Sequence, residues 1–263
     1  MQNGTERAAV VVDSLSKRFR YLNFPKRGTL KEAIVTWKIF AKANHQRYID
    51  ALSDVSFVVD KGSAIGVIGP NGSGKSTLLK MIAGVMKPDS GSVKIRGTVT
   101  PLLSLGVGFH PDLTGRENVK VSGLIMGLHP TEIEERMEQI AAFAELEDFM
   151  DAPVHTYSNG MYMRLAFSLG VSVNPDVLLL DEVFAVGDAS FSAKCREQMK
   201  RFRNEGTTLV YVSHDLGAVR EFCDVALWLD HGKMRRLGPA ADVVDAYCRD
   251  VGLAEIALPE QKF

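Results

Sequence analysis

The sequence predicts an α/β fold with a mostly parallel core sheet, and three observations carry that expectation. The apolar run Ala64-Ile65-Gly66-Val67-Ile68 is followed by a glycine-rich loop and then by the helix-like stretch Leu78-Leu79-Lys80-Met81-Ile82-Ala83, an order of strand, loop and helix. Val177-Leu178-Leu179-Leu180 is continuously apolar, as expected of a central parallel strand covered on both faces. Thr207-Thr208-Leu209-Val210-Tyr211-Val212 is a second run of that kind.

In chain order, residues 1–9 read as a flexible tail. Val10-Val11-Val12 opens a strand that runs toward Leu15 and ends near Ser16-Lys17-Arg18-Phe19. Val55-Ser56-Phe57-Val58-Val59 alternates as a half-buried strand does and stops at the turn Asp60-Lys61-Gly62. Between them, residues 20–47 carry Arg20, Lys26, Arg27, Lys31, Lys38, Lys42 and Arg47 against the single acid Glu32. Leu30, Ala33, Ile34, Trp37 and Phe40 recur at helical spacing, which predicts an amphipathic helix over 29–43. Two roles fit it. It can cap the domain with its lysines solvated, or meet a membrane-protein partner or the anionic cytoplasmic leaflet; Trp37 and Phe40 favour a partner surface.

Lys87-Pro88-Asp89-Ser90-Gly91-Ser92 is a turn into the strand Val93-Lys94-Ile95, and residues 98–109 are apolar and glycine-rich. Thr114-Gly115-Arg116-Glu117 has the spacing of a capping box, and Thr131-Glu132-Ile133-Glu134 repeats it. Ile133, Met137, Ile140, Ala141 and Ala144 mark the apolar face of the second helix, so residues 110–156 read as a helical insertion. Val225-Ala226-Leu227-Trp228-Leu229, the turn 230–233 and Met234-Arg235-Arg236-Leu237 predict a closing hairpin. A terminal helix follows over 239–249, and residues 251–263 read as a tail.

Composition narrows the class. With 46% hydrophobic and 24% charged residues the 263-residue chain can bury a substantial core. Its net charge of −1 gives no field for holding nucleic acid. No run of 18 apolar residues occurs, and the first residues lack a signal peptide's apolar segment. A cytoplasmic chain that does not itself span a bilayer is the expectation. Cys195, Cys223 and Cys248 have no metal-ligand spacing and are expected to stay reduced.

The loop after the first core strand reads Gly69-Pro70-Asn71-Gly72-Ser73-Gly74-Lys75-Ser76-Thr77. It matches G-x-x-x-x-G-K-[ST] with the flanking strand and helix that a phosphate loop needs. Its glycines allow successive N–H groups to turn toward phosphate oxygens, and the helix N-terminus adds positive partial charge. Lys75 suits the β and γ phosphates, and the Ser76 hydroxyl suits Mg²⁺. ATP and Mg²⁺ are the expected ligands. The strand 177–180 ends in Asp181-Glu182, and two acids there are costly unless they serve a cation or a proton transfer. Asp181 suits Mg²⁺, directly or through water. Glu182 suits the general base on attacking water, a role worth about 10²–10⁴-fold in rate. Solvent-facing acids are the plain alternative, made remote by a phosphate loop about a hundred residues earlier. Ser213-His214-Asp215 follows the next strand, where the His214 imidazole can reach a γ-phosphate.

The order of phosphate loop, helical insertion, Tyr157-Ser158-Asn159-Gly160-Met161, Val177 to Glu182, Gly187-Asp188 and His214 resembles an ABC-transporter nucleotide-binding subunit over residues 10–238. The resemblance implies one ATPase domain over 10–250. It would comprise the mostly parallel core sheet, an antiparallel β subdomain, a helical subdomain over 104–172 and the insertion 20–47. Ser158, Asn159, Gly160 and Met161 stand at the signature position, where Ser158 can cap a helix and Gly160 can approach an anion. In the family that helix end meets the γ-phosphate on the other copy's phosphate loop, which implies a homodimer enclosing two ATP molecules, with Asp188 at the seam. Asn159 and Met161 depart from the usual Leu-Ser-Gly-Gly-Gln. This form, together with Gly108-Phe109, Leu113 to Asn118 and Asp181 to Asp188, is similar to the polysaccharide-exporting members.

The implied function is to power export of a lipid-linked polysaccharide, such as O-antigen or capsule, through a separate integral membrane permease. The subunit would sit peripherally on the cytoplasmic face of the inner membrane and bind no nucleic acid. Teichoic acid or another ABC-exporter cargo is the alternative. A soluble ABC protein acting on ribosomes or DNA is disfavoured by a single cassette without a long coiled coil, and a nonhydrolysing switch by Glu182 and His214. The Q-loop glutamine is replaced by Leu105 or Ser104. Phe19 is the expected adenine-stacking residue, with Tyr21 and Tyr48 as alternatives and a plain core role for Phe19 equally open.

Overall fold

The computed structural model describes residues 7–21, 47–103, 106, 108–181 and 188–253. The chain runs through β1 (Ala8–Tyr21), β2 (Arg47–Asp60), β3 (Ala64–Ile68), α1 (Lys75–Ile82), β4 (Ser90–Ile95), β5 (Val99–Leu102), α2 (Gly115–Ile125), α3 (Pro130–Ala144) and α4 (Asn159–Ser172). It continues through β6 (Val177–Asp181), α5 (Ala189–Asn204), β7 (Thr208–Val212), α6 (Leu216–Phe222), β8 (Val225–Asp230), β9 (Lys233–Pro239) and α7 (Ala240–Val251). No described helix is long and apolar enough to cross a membrane.

The core sheet has the order β5-β6-β7-β3-β8-β9, parallel except for the closing β8–β9 hairpin. Period-two alternation splits its side chains between two cores. Ile65 and Val67 of β3 join Leu179, Val210 and Val212 on the α1 side. Ala64 and Ile68 join Leu178, Leu180, Tyr211, Phe167 and Phe191 on the other. β5 was legible only as an apolar, glycine-rich stretch, because it is four residues long and contains Pro101. Proline is tolerated there because β5 is an edge strand with one unpaired side.

The antiparallel subdomain is the sheet β2-β1-β4. Both long strands exceed their expected bounds. β1 begins at buried Ala8 and Ala9, inside the expected tail, and β2 begins at Arg47 instead of Val55. The added pairs are Arg18↔Asp50, Phe19↔Ile49 and Arg20↔Tyr48. They are held by cross-strand chemistry rather than by apolar alternation: Arg18 Nε lies 2.5 Å from Asp50, and its guanidinium 5.7 Å from the Tyr48 ring. The register passes from Lys17↔Leu52 to Arg18↔Asp50, leaving Ala51 as the extra residue of a bulge. The expected helix over 29–43, residues 1–6 of the tail and residues 254–263 lie outside the described residues.

α2, α3 and α4 form their own core of Val119, Ile133, Met137, Ile140, Leu165 and Leu169, including the apolar face expected for α3. α2 begins at the predicted box, Thr114 Oγ1 accepting the Glu117 N–H (3.2 Å) and Glu117 accepting the Thr114 N–H (2.9 Å). The second box is displaced. Pro130 takes the first helical position, where a missing N–H costs nothing, so Glu132 accepts the N–H of His129 (2.8 Å) and Thr131 is not the cap.

Candidate functional site

Three stretches singled out in the sequence emerge from the carboxyl ends of neighbouring parallel strands. β3 leads into residues 69–77, β7 into Ser213-His214-Asp215, and β6 ends at Asp181. β7 lies between the other two, so Asp181 stands two strand spacings, about 10 Å, from the phosphate-loop strand. This is the edge at which open parallel sheets bind ligands.

The loop is held by backbone. Gly69 has φ 144°, and a Cβ there would lie 2.0 Å from the Leu229 carbonyl oxygen; Gly74 has φ 105°, and a Cβ would lie 2.4 Å from that of Ala51. Neither position admits a side chain. The Gly232 N–H donates to Ser73 O (3.0 Å), and the Ser53 N–H donates to Gly232 O (2.8 Å), so the β8–β9 turn bridges the loop to β2. α1 begins at Lys75 with Gly74 as its cap, which has no side chain to offer. Its first amides therefore suit an anion. Lys75 Nζ, on a residue 6% exposed, donates to the carbonyls of Gly69 (2.8 Å) and Pro70 (3.0 Å). The cation is thus preplaced over the loop. Pro70, Asn71, Gly72 and Ser76 are exposed, Thr77 is half-buried and Ser73 is buried. The uncapped helix, preplaced lysine and Ser76 hydroxyl fit a phosphate with its Mg²⁺, and half-buried Asp181 is an oxygen donor of the right hardness.

His214 is exposed on a stiff support. The Tyr211 hydroxyl donates to Ser213 Oγ (2.8 Å), which also accepts the Asp215 N–H (3.0 Å). Asp215 in turn caps α6 through the Ala218 N–H (3.0 Å). Glu182, Ser104, Leu105 and the side chain of Tyr21 lie outside the described residues.

Ser158 caps α4, accepting the Met161 N–H (3.2 Å), and Ser158 and Asn159 are exposed while Gly160 and Met161 are half-buried. This tip belongs to the helical subdomain. Asp188 caps α5, accepting the Ser190 hydroxyl (2.6 Å) and the Phe191 N–H (3.0 Å). Sequence reasoning missed what joins these two elements. Arg164 of α4 pairs with Asp188, reaches Glu145 at the end of α3 (2.9 Å) and lies 5.3 Å from the Phe191 ring centre; Glu145 also pairs with Lys194. No local signal marks such a tie.

The Ser190 and Phe191 bonds, with the Arg164 charge, hold the Asp188 carboxyl down at about 2. The folded value lies below the unfolded one, so this tie stabilises the fold above about pH 4 and is lost as the pH falls toward 2. The melting temperatures of the wild type and Asp188→Asn, followed from pH 6 to pH 2.5, should therefore converge as the pH falls.

The register puts two of the adenine candidates, Phe19 and Tyr48, on opposite faces of the ribbon. Phe19 shares a face with Lys17, and Lys17 pairs with Leu52; the Leu52 side chain covers Gly74, where a Cβ would meet its Cδ2 at 2.8 Å. Tyr48 lies on the opposite face under Arg18. Phe19, 38% exposed, is on the loop's side and is not simply core.

Known proteins with this arrangement give it a family. The ABC transporter family matches residues 52–185. The O-antigen export system ATP-binding protein RfbB of Myxococcus xanthus is 44% identical over 94% of this chain, which spans 57% of that relative. The protein of the same name in Klebsiella pneumoniae is 44% identical over 80% of this chain and 85% of its own length. The teichoic acids export ATP-binding protein TagH of Bacillus cereus is 41% identical over 90% of this chain and 42% of its own. An ATP-binding cassette solved as a dimer in a post-hydrolysis state with ADP and Pi shares the fold, with TM-score 0.68 and 24% identity over 88% of this chain and 98% of that one. On its phosphate loop, its strand order and these relatives, the chain belongs to the ABC transporter family.

Proposed function

We propose that this chain is the ATP-hydrolysing subunit of an exporter that moves a lipid-linked polysaccharide, such as O-antigen or capsule, across the inner membrane. The observation that carries the reading is the Klebsiella relative named for O-antigen export, of which this chain spans 85% at 44% identity. The chemistry is ATP hydrolysis. Residues 69–77 bind the phosphates through backbone N–H groups, and Lys75 moves from the loop carbonyls to the β and γ oxygens. Ser76 and Asp181 would hold Mg²⁺, which would supply positive charge beside the transferring phosphoryl. Glu182 takes the proton of the attacking water, His214 contacts the γ-phosphate, and Phe19 stacks on adenine. Two copies pair head to tail, each offering Ser158 to Met161 to its partner's phosphates, with Asp188 at the seam. Ser158→Ala, which removes a cap worth about 0.5–2 kcal/mol, should weaken ATP-driven pairing more than nucleotide binding, as measured by sedimentation and by titration.

A separate membrane permease docks, in this reading, on the cytoplasmic face of the membrane at the β5 edge. A groove of about 270 Å³ opens there, lined by Leu102, Phe109, Ile125, Met126, Ala166 and Leu169. Leu124 and Ile125 expose 52% and 70% of their surface beside it. Ser122 Oγ is buried in its wall without a hydrogen-bond partner among the described residues. Ile125→Glu should lower recovery of the permease with this subunit at least about tenfold by placing a charge in an apolar contact.

The test of the whole reading is genetic. Lys75→Ala in the organism that encodes the chain should abolish the surface glycan and accumulate its lipid-linked form inside. Normal surface glycan with teichoic acid retained inside would establish the second reading, which the Bacillus relative favours at 41% identity.

A further inference from the structure

We infer that Tyr162 is a positioning residue that fixes the tip of α4 to the turn at the mouth of the β5-edge groove, so that the two move as one body. The inference rests on the proposed role of Ser158 to Met161 in pairing. Tyr162 follows Met161 directly, in the first turn of α4. Its hydroxyl donates to Gly106 O (2.8 Å), and the same oxygen accepts the Phe109 N–H (3.0 Å). Its ring meets Phe109 edge-on, with centroids 5.3 Å apart at 68°.

The fit leaves no slack. Gly106 has φ 79°, and a Cβ there would lie 2.3 Å from Tyr162 Cε1, so the ring rests directly on peptide. Burial pushes the phenol's pKa up, which keeps it a donor at every working pH. Gly106 and Phe109 also line the groove. One side chain therefore touches the wall of the partner groove at its ring and belongs, at its backbone, to the helix end offered to the other copy's phosphates. Displacement of the turn must draw or release that tip, because packed aromatic contacts and a short hydrogen bond transmit motion rather than absorb it.

Tyr162→Phe keeps the ring and removes only the hydroxyl. It is compared with the wild type in the full chain, and again with Glu182→Gln added to block hydrolysis. The expected result is an unchanged melting temperature and an unchanged affinity for a fluorescent ATP analogue in the single chain. ATP-driven pairing should weaken, and kcat should fall about three- to tenfold with KM within twofold, the size of one net hydrogen bond. In the hydrolysis-blocked pair, ATP should slow hydrogen exchange of the Phe109 amide when Tyr162 is present and not when it is Phe. Equal pairing, kcat and amide protection in the two would overturn the inference. So would a fall in kcat accompanied by a lower melting temperature or an equal fold-loss of nucleotide affinity, which marks a merely structural contact. If Glu182→Gln alone does not pair in ATP, the two-copy reading falls and takes the inference with it. If it pairs and Tyr162→Phe changes nothing, the inference alone falls.

Discussion

Glu182→Gln is expected to cut steady-state phosphate release by at least about 10²-fold while ATP stays bound, the lower end of what a positioned general base contributes. Glutamine has the shape of glutamate and still accepts a hydrogen bond from water, but it cannot take the proton. Asp181 just before it is fixed at the end of β6, opposite Val212, so the metal site should be intact and KM should not rise. A fall in kcat without a rise in KM is the signature of an interaction made in the transition state. The same variant should accumulate as an ATP-bound pair, visible as a doubling of mass by sedimentation. Unchanged phosphate release would remove Glu182 from the role of base. Loss of ATP binding along with turnover would mean that the substitution had damaged the site instead.

Lys75→Ala acts one step earlier. The ammonium is nearly buried and satisfied by two carbonyls of its own loop, so the loop already surrounds a positive charge before nucleotide arrives. Charge-assisted hydrogen bonds are worth about 1.5–3 kcal/mol each. Replacing neutral carbonyls by phosphate oxygens therefore gains affinity that alanine cannot supply. Nucleotide affinity should fall about 10²-fold or more by calorimetric titration, with turnover falling in step. Alanine also removes the donor that ties Gly69 and Pro70 together, so the melting temperature without nucleotide should drop by about 2–4 °C. Equal affinity in wild type and variant would count against residues 69–77 as the phosphate site.

These residues were legible for different reasons. The phosphate loop depends on residue types within nine positions, so its glycines, lysine and flanking elements carried the reading by themselves. That Asp181 and His214 stand beside it depends on β7 lying between β6 and β3, an order set by packing and not written locally. The length of β1 and β2 was hidden because Arg18, Asp50 and Tyr48 stabilise the ladder across strands, where apolar alternation is blind. Arg164 and Asp188 are 24 positions apart on two helices, and only the tertiary fold brings them together. Pro130 misdirected the reading of α3: its ring suits the first helical position, which moved the cap from Thr131 to His129. That Phe19 and Tyr48 lie on opposite faces of the ribbon was not legible either, because the bulge at Ala51 sets which face each ring takes.

That bulge has a mechanical consequence. The Ala51 carbonyl rests against Gly74, while main-chain hydrogen bonds link Ser53 to Gly232 and Gly232 to Ser73 in the loop. The outer pairs of the ribbon, out to Tyr21↔Arg47, extend about 13 Å past this fulcrum at 3.3 Å per residue. A load on that lever arm would reach residues 69–74 through main-chain contacts, which close only because Gly74 and Gly232 carry no side chain.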